Sequence, residues 1–516
     1  MTSTNAIELR NITKTFGSVV ANKDVSLCVK KGEILSLLGE NGSGKTTLMN
    51  MLSGIYYPDS GEIFIDGEKV DIRSPKDSFA LGIGMIHQHF KLVDLFSAAE
   101  NIVLGMPGKS KVDMKNVVEK INSLCEKYGF ELDPYKKIYN MSVSEKQTVE
   151  IIKTLYRGAN ILILDEPTAV LTPQETTTLF KILKKMREDG KAIIIITHKL
   201  MEVLELSDRV SVLRKGQYVG TVNTSEATEL SLTEMMVGEK VTLDIERPEP
   251  ENPVPRLVIK DVSCSDKNGI KVLDNISFTA NSGEILGIAG IAGSGQKELL
   301  EIVAGLQNVD SGSVVYYPKD SKTSQELIGK SPLQIRNLGV ALSFIPEDRL
   351  GMGLVGSMGM TGNMMLRSYR IGAKFFTDRK SPRKLSEDIV DQLGVVTPDI
   401  STPVRRLSGG NVQKVLIGRE IAATPTVLMT AYAVRGLDIN TSYTIYHLLN
   451  EQKKNGVAVV YVGEDLDVLL ALCDRIMVLC SGKITGIVDA RSATKEQLGL
   501  MMTGQSQEKE DKGDDK

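Results

Sequence analysis

GEILSLLGENGSGKTTLMNMLSG, residues 32–54, decides how this chain folds. Its opening, GEILSLL, is a short apolar run of the kind a buried parallel strand makes, and KTTLMNMLSG opens a helix. The turn between them, Gly39–Thr46, satisfies G-x-x-x-x-G-K-[ST]. In such a turn Gly39, Gly42 and Gly44 let the backbone wrap closely around phosphates. The N–H groups of Asn41, Ser43 and the helix start through Thr47 supply fixed positive potential. Lys45 would reach the β- and γ-phosphates, and Thr46 would hold Mg²⁺.

The same passage occurs twice. DVSLCVKKGEILSLLGENGSGKTTLMNMLSG, from Asp24, aligns without a gap with NISFTANSGEILGIAGIAGSGQKELLEIVAG, from Asn275. IELRNITKTFG near residue 7 corresponds to LVIKDVSCSDKNG near 257, and THKLMEVLELSDRVSVLRKGQYVG to GEDLDVLLALCDRIMVLCSGKITG. The offset is 251 between Lys45 and Gln296 and 266 between His198 and Glu464, so the second copy carries a modest insertion. A chain of 516 residues has room for several domains, and the internal repeat resolves them into two of one fold.

Boundaries follow from composition. Residues 1–238 form the first domain, and 257–503 the second. The segment 239–256, EKVTLDIERPEPENPVPR, reads as a semi-stiff proline-rich linker, and 504–516 as a charged, disordered tail. Short β-branched runs such as ANILILDEP and KAIIIITH alternate with helical segments. That alternation predicts an α/β domain with helices on both faces of a mostly parallel sheet.

Composition narrows the class further. The chain is 41% hydrophobic and 25% charged, with no tryptophan and a net charge of −3, a balance that argues against nucleic acid as partner. No apolar run approaches the ~18 residues of a membrane span, and the start lacks the pattern of a secretory signal. Five scattered cysteines, without a CxxC pair, read as small buried apolar residues in a reducing cytoplasm.

In the first half, ILILDEP delivers Asp165 and Glu166 to the end of a buried strand. Desolvating two adjacent carboxylates is costly, and a cation with water chemistry is the physical reason to do so. Asp165 would support Mg²⁺, and Glu166 would polarise the attacking water. His198 ends the strand IIIITH at the edge where ligands of open α/β sheets collect. It is either a structural histidine or, in register with the other elements, a γ-phosphate contact.

The set GENGSGKTT, Gln88 in IHQHF, MSVSEKQ, ILILDEPTA and His198 resembles the ATP-binding subunits of ABC transporters, along both halves. The resemblance implies two tandem P-loop NTPase domains, each a mostly parallel sheet core with a helical subdomain between Gln88 and Ser142 and an antiparallel β subdomain. It implies ATP and Mg²⁺ as cofactors, with Gln88 contacting Mg²⁺ and water and sensing membrane subunits. Phe16 is either the aromatic that stacks on adenine or a core phenylalanine.

The second half departs from the pattern at each catalytic position. Gln296 stands for the lysine, Lys297 for the Mg²⁺ hydroxyl, Ala431 and Tyr432 for Asp165 and Glu166, and Glu464 for His198. Electrostatic stabilisation is most of what a phosphoryl-transfer site does, so hydrolysis there should be nearly absent. Yet the second half keeps LSGGNVQK, 407–414, and Asp438 in RGLD, whereas the first has Val143 and Ser144 for the glycines and Thr172 for Asp438. In the family each ATP lies between the phosphate loop of one half and the signature of the other. The resemblance thus implies one complete site, joining Lys45, Thr46, Gln88, Asp165, Glu166 and His198 to Ser408, Gly409, Gly410, Asn411 and Asp438. The other, retired site is broken on both faces.

Two fused halves with a degraded second copy resemble the ATP-binding subunits of bacterial importers of simple sugars and nucleosides. LGIGMIHQHFKLVDLFSAAENIVLG and IPEDRLGMGLV look closer to the nucleoside branch, with departures at Ser144 and at Tyr432–Val434. That likeness implies two permease subunits and an extracytoplasmic binding protein as partners. It also implies a peripheral place at the cytoplasmic face of the membrane, with KLVDLF exposing apolar residues to the permease. A soluble tandem-cassette translation factor is the competing class, but such proteins carry two complete sites and a long basic linker.

Overall fold

The computed structural model describes residues 5–17, 19–87, 90–106, 112–169, 171–197, 199–238, 245–266, 269–319, 323–337, 342–369 and 377–504. The chain divides into two compact units, Met1–Thr242 and Leu243–Lys516.

In unit 1 the strands are β1 (Asn5–Phe16), β2 (Val19–Lys30), β3 (Ile34–Leu38), β4 (Ser60–Ile65), β5 (Glu68–Val70), β6 (Ile83–Ile86), β7 (Ile161–Asp165), β8 (Ala192–Ile196), β9 (Arg209–Arg214) and β10 (Gln217–Asn223). They form an antiparallel sheet, β2-β1-β4-β5, and a six-stranded sheet, β10-β9-β3-β8-β7-β6. In the larger sheet only the β9–β10 pair is antiparallel.

Strands β3 and β8 are buried at every position, which explains why they read as continuous apolar runs rather than as alternating ones. Period 2 still sorts their side chains. Leu35, Leu37, Ile161, Ile163, Ile194 and Ile196 pack on one face with the antiparallel sheet and the helix Lys45–Leu52. Ile34, Leu162, Leu164, Ile193 and Ile195 pack on the other, against Val117, Ile121, Val149 and Ile152 of the helices Met114–Tyr128 and Val143–Tyr156. At ~1.5–3 kcal/mol for each fully buried aliphatic side chain, these two layers hold the sheet edge rigid.

Unit 2 repeats the plan. Its strands are β11 (Pro255–Ser265), β12 (Lys271–Asn281), β13 (Ile285–Gly290), β14 (Ser311–Tyr316), β15 (Gln325–Glu326), β16 (Leu342–Ile345), β17 (Val427–Ala431), β18 (Ala458–Val462), β19 (Arg475–Cys480) and β20 (Lys483–Asp489). The sheets run β12-β11-β14-β15 and β16-β17-β18-β13-β19-β20, strand for strand the order of unit 1. Among the described residues no helix is long and apolar enough to cross a membrane.

The proline-rich segment contains more structure than a tether. Its residues 245–254 are strapped onto unit 2: Arg247 Nη1 donates to Leu470 O and Cys473 O at 2.7 and 3.0 Å. Lys453 Nζ donates to Pro248 O at 2.5 Å, Asn450 to Glu246 O, and Arg491 pairs with Glu249. Residues 239–244 and 505–516 lie outside the described residues.

Candidate nucleotide sites

The strands that lead to the phosphate loop, to Asp165 and to Thr197 end at the same edge of the larger sheet. The Gly39–Thr46 loop leaves β3, Asp165 closes β7 and Thr197 follows β8. The loop needs its last glycine: Gly44 has φ 96°, and a Cβ there would meet Ala21 O at 2.3 Å. Lys45 is 7% exposed and donates to Gly39 O at 2.6 Å and Glu40 O at 3.0 Å. An ammonium has three donors, so one remains for a ligand. Burial pulls Lys45 below its ordinary range, against the pull of Glu166, Asp165 and Glu40.

Asp165 is pushed up to about 6, by burial first and then by Glu166, while Lys45 and a hydrogen bond with Thr46 act the other way. A desolvated carboxylate bonded to a threonine hydroxyl is a donor set that suits a hard dication. Ser43 Oγ, buried in the same loop, finds no hydrogen-bond partner among the described residues. The neighbouring carboxylate is held in a costly backbone: Glu166 has φ 47°, fixed by its N–H donating to Ile196 O at 2.8 Å. Phe16 stands at the end of β1, 43% exposed and edge-on to Tyr56 at 5.1 Å, outside the core. Gln88 and His198 lie outside the described residues.

The corresponding loop of unit 2 keeps the backbone and changes the chemistry. Gly295 has φ 102°, and Gln296, 2% exposed, donates through Nε2 to Ile291 O at 3.2 Å. The amide thus repeats the bracing bond of Lys45 without its charge. Tyr432 repeats the turn of Glu166, with φ 52° and its N–H donating to Val462 O at 3.0 Å. Its phenol is pushed up to about 12, by burial and then by Glu464 and Glu347, and so stays neutral. A cleft of about 260 Å³ lies beside Ala431, lined also by Lys297, Glu301 and Glu347.

The ABC transporter family matches residues 22–169 and 273–430, one stretch in each unit. The chain belongs to the ABC transporter family. It is similar to the guanosine import ATP-binding protein NupO of Bacillus subtilis (42% identity over 97% of this chain and 98% of that protein). It is also similar to the nucleoside import ATP-binding protein NupA of Lactococcus lactis (40%, 98% and 99%) and to the ribose import ATP-binding protein RbsA 2 of Escherichia coli O157:H7 (36%, 98% and 98%). A solved ABC transporter cassette in its ADP conformation is 25% identical, with a TM-score of 0.41 over 46% of this chain and all of that one. The chain is an ATPase of the ABC type with two fused ATP-binding cassettes, each with a mostly parallel core sheet and an antiparallel sheet.

Within this ABC chain, two helix starts are capped differently in the two halves. In unit 1 the helix Val143–Tyr156 begins with a capping box. Ser142 Oγ accepts from Glu145 N, and Glu145 Oε2 accepts from Ser142 N at 2.8 Å. Burial raises Glu145, but Lys136 and the Ser142 bonds outweigh it and hold the carboxyl below its usual range. The helix Pro173–Glu188 is closed in the same manner by Thr172 and Glu175. A carboxylate on an N-terminus takes up the positive potential that an anionic ligand would use.

Unit 2 lacks the Ser/Thr–Glu box at both ends, although a carboxylate still caps the second. Ser408 Oγ accepts from Asn411 N and from Asn411 Nδ2 at 2.9 Å, so the signature helix Gly409–Ala422 is capped by neutral groups. Asp438 caps Ile439–Lys454, accepting from Thr441 N and Oγ1, both at 2.8 Å. Sequence reasoning passes over Glu145 and Glu175, although S-x-x-E and T-x-x-E spacing marks both.

It also passes over Asn101 and Asn363, one in each cassette. Asn101, 1% exposed, accepts from Val93 N at 2.8 Å and donates to Val93 O and Ser97 O. Asn363 makes the same bonds to Val355 N, Val355 O and Gly359 O. Each asparagine holds a loop whose apolar side chains face out: Val93, Leu95 and Phe96 in unit 1, Val355 and Met358 in unit 2. An asparagine inside an apolar helix pattern, as in AAENIV, is the available signal.

Proposed function

We propose that this chain is the ATP-hydrolysing subunit of a bacterial importer of nucleosides, with one working ATPase site and one retired site. The working site takes Lys45, Thr46, Asp165 and Glu166 from unit 1, with Gln88 and His198, and Ser408–Asn411 and Asp438 from unit 2. The observation that carries this reading is the opposite sorting of the two halves. Unit 1 has the buried lysine and paired carboxylates, and seals its own helix ends with Glu145 and Glu175. Unit 2 has Gln296, Ala431 and Tyr432 in the loop positions, and caps its signature helix with the neutral Ser408 and Asn411.

Thr46 and Asp165 are the residues that would hold Mg²⁺, which when bound neutralises charge on the phosphate oxygens. Lys45 and the loop N–H groups orient the phosphates, Phe16 meets the adenine, and Glu166 takes the water proton. Solute transport needs membrane-spanning permease subunits and an extracytoplasmic binding protein, which places this chain at the cytoplasmic face of the membrane. The exposed Val93, Leu95 and Phe96 give the permease an apolar seat. Nucleosides are favoured by the names of the relatives at 42% and 40% identity. A simple-sugar importer is the second reading, favoured by the ribose relative at 36%.

The test compares three substitutions in the full chain. Lys45→Ala and Gly409→Val should each reduce ATP turnover at least ~100-fold, and Gln296→Ala by less than ~3-fold. A Cβ at Gly409 meets only Arg349 Nη1, at 3.4 Å, so the position has room for one within unit 2. Equal losses at Gln296 and Lys45 would refute the division of labour. Stimulation of turnover in the assembled complex by ribose and not by guanosine would replace nucleoside with sugar.

A further inference from the structure

The loop Tyr432–Asp438 joins β17 to the helix that Asp438 caps, and Arg435 lies in its middle. Arg435 Nη1 pairs with Glu347 Oε1 at 2.5 Å, its Nε lies 3.3 Å from Glu464 Oε1, and its Cζ sits 5.8 Å from the centre of the Tyr432 ring. Its backbone carbonyl accepts from Arg349 Nη2. Arg349 in turn lies against Gly409, at the N-terminus of the signature helix. One cluster of four charged residues therefore touches both elements of unit 2 assigned above to the working site.

Two observations argue that the cluster serves geometry rather than stability. The side chains of Arg435, Glu347 and Glu464 are 54%, 38% and 47% exposed, and pairs so exposed add little to folding. The aligned positions in unit 1 are Ala169, Gln88, Phe90 and His198, so the first half has no counterpart of the network in its sequence. Gly436, φ 71°, follows Arg435 directly and gives the loop a pivot that a tether must restrain.

We propose that Arg435 is a positioning residue for ATP turnover: tied to Glu347, Glu464 and Arg349, it holds the loop that presents Asp438. The inference rests on the assignment of Asp438 to the working site. It gives the loop after β16 a direct mechanical link to that site, since Glu347 and Arg349 both belong to it.

The experiment is a double-mutant cycle on ATP turnover by the full chain assembled with its permease, using Arg435→Ala, Asp438→Ala and both together. Arg435→Ala should lower kcat on the order of 10-fold with little change in KM, and the double variant should be no slower than Asp438→Ala alone. Arg435→Lys should recover part of the loss. Glu347→Gln, which removes one anchor and leaves the loop itself unchanged, should lower kcat in the same non-additive way. Losses that multiply in the double variant, or wild-type kcat in Arg435→Ala, would overturn the positioning role and leave the assignment of Asp438 standing. Wild-type turnover in Asp438→Ala would overturn the assignment and the inference with it.

Discussion

Lys453→Met should destabilise unit 2 far more than Arg187→Met destabilises unit 1, although the two residues occupy equivalent positions. Lys453 Nζ donates to Asp474 Oδ1 at 2.7 Å and to Pro248 O at 2.5 Å, and Asp474 Oδ2 accepts from Ile285 N at 2.8 Å. The pair is 1% and 8% exposed, because the strap 245–254 lies over it. In unit 1, Arg187 Nη1 meets Asp208 Oδ1 at 2.8 Å, and Asp208 Oδ2 accepts from Ile34 N, but the pair is 29% and 38% exposed. Removing one partner of a buried pair leaves an uncompensated charge and costs ~3–5 kcal/mol. The same change at an exposed pair costs ~0–1 kcal/mol. At ~2–4 °C per kcal/mol for a domain of this size, Lys453→Met should lower its transition by ~6–20 °C, and Arg187→Met by no more than ~4 °C. Differential scanning calorimetry of the full chain reads both, with hydrogen exchange at Ile285 as the local measure. Equal shifts, or the larger one at Arg187, would refute the claim that the strap creates the difference.

Asn101→Ala should cost ~1–3 kcal/mol in urea denaturation, since it strands the N–H of Val93 in a partly buried loop, and should speed proteolysis between Lys91 and Phe96. Gly44→Ala should abolish ATP binding measured by fluorescent-nucleotide titration, because the new Cβ would fall 2.3 Å from Ala21 O and the loop must move. Glu145→Gln should lower the unfolding midpoint slightly, through a loss of ~0.5–1 kcal/mol at the helix start, and leave ATP turnover within ~2-fold of wild type.

Much of the fold was legible because the chain states it twice. The aligned passages around Lys45 and Gln296, and the buried runs that became β3, β7 and β8, required only local pattern and spacing. The strap was not legible. EKVTLDIERPEPENPVPR has the composition of a free linker, and its anchors Asn450, Lys453, Leu470 and Cys473 lie some 200 residues further on. The positive φ at Glu166 and Tyr432 was hidden for a similar reason: a neighbouring strand imposes it, through Ile196 O and Val462 O, on residues that do not prefer it. The Arg435 cluster is visible only when Glu347 and Glu464 are brought together from segments more than a hundred residues apart.

The capping boxes at Ser142 and Thr172 have an evolutionary consequence. Each gives its helix ~0.5–2 kcal/mol by satisfying end groups that an anion would otherwise meet. Placing glycines at Val143 and Ser144 while Glu145 remains would leave the helix end occupied by its own carboxylate. Removing Glu145 first would forfeit that stability. On the one-site reading proposed above, any route to a second working site would therefore run through less stable intermediates.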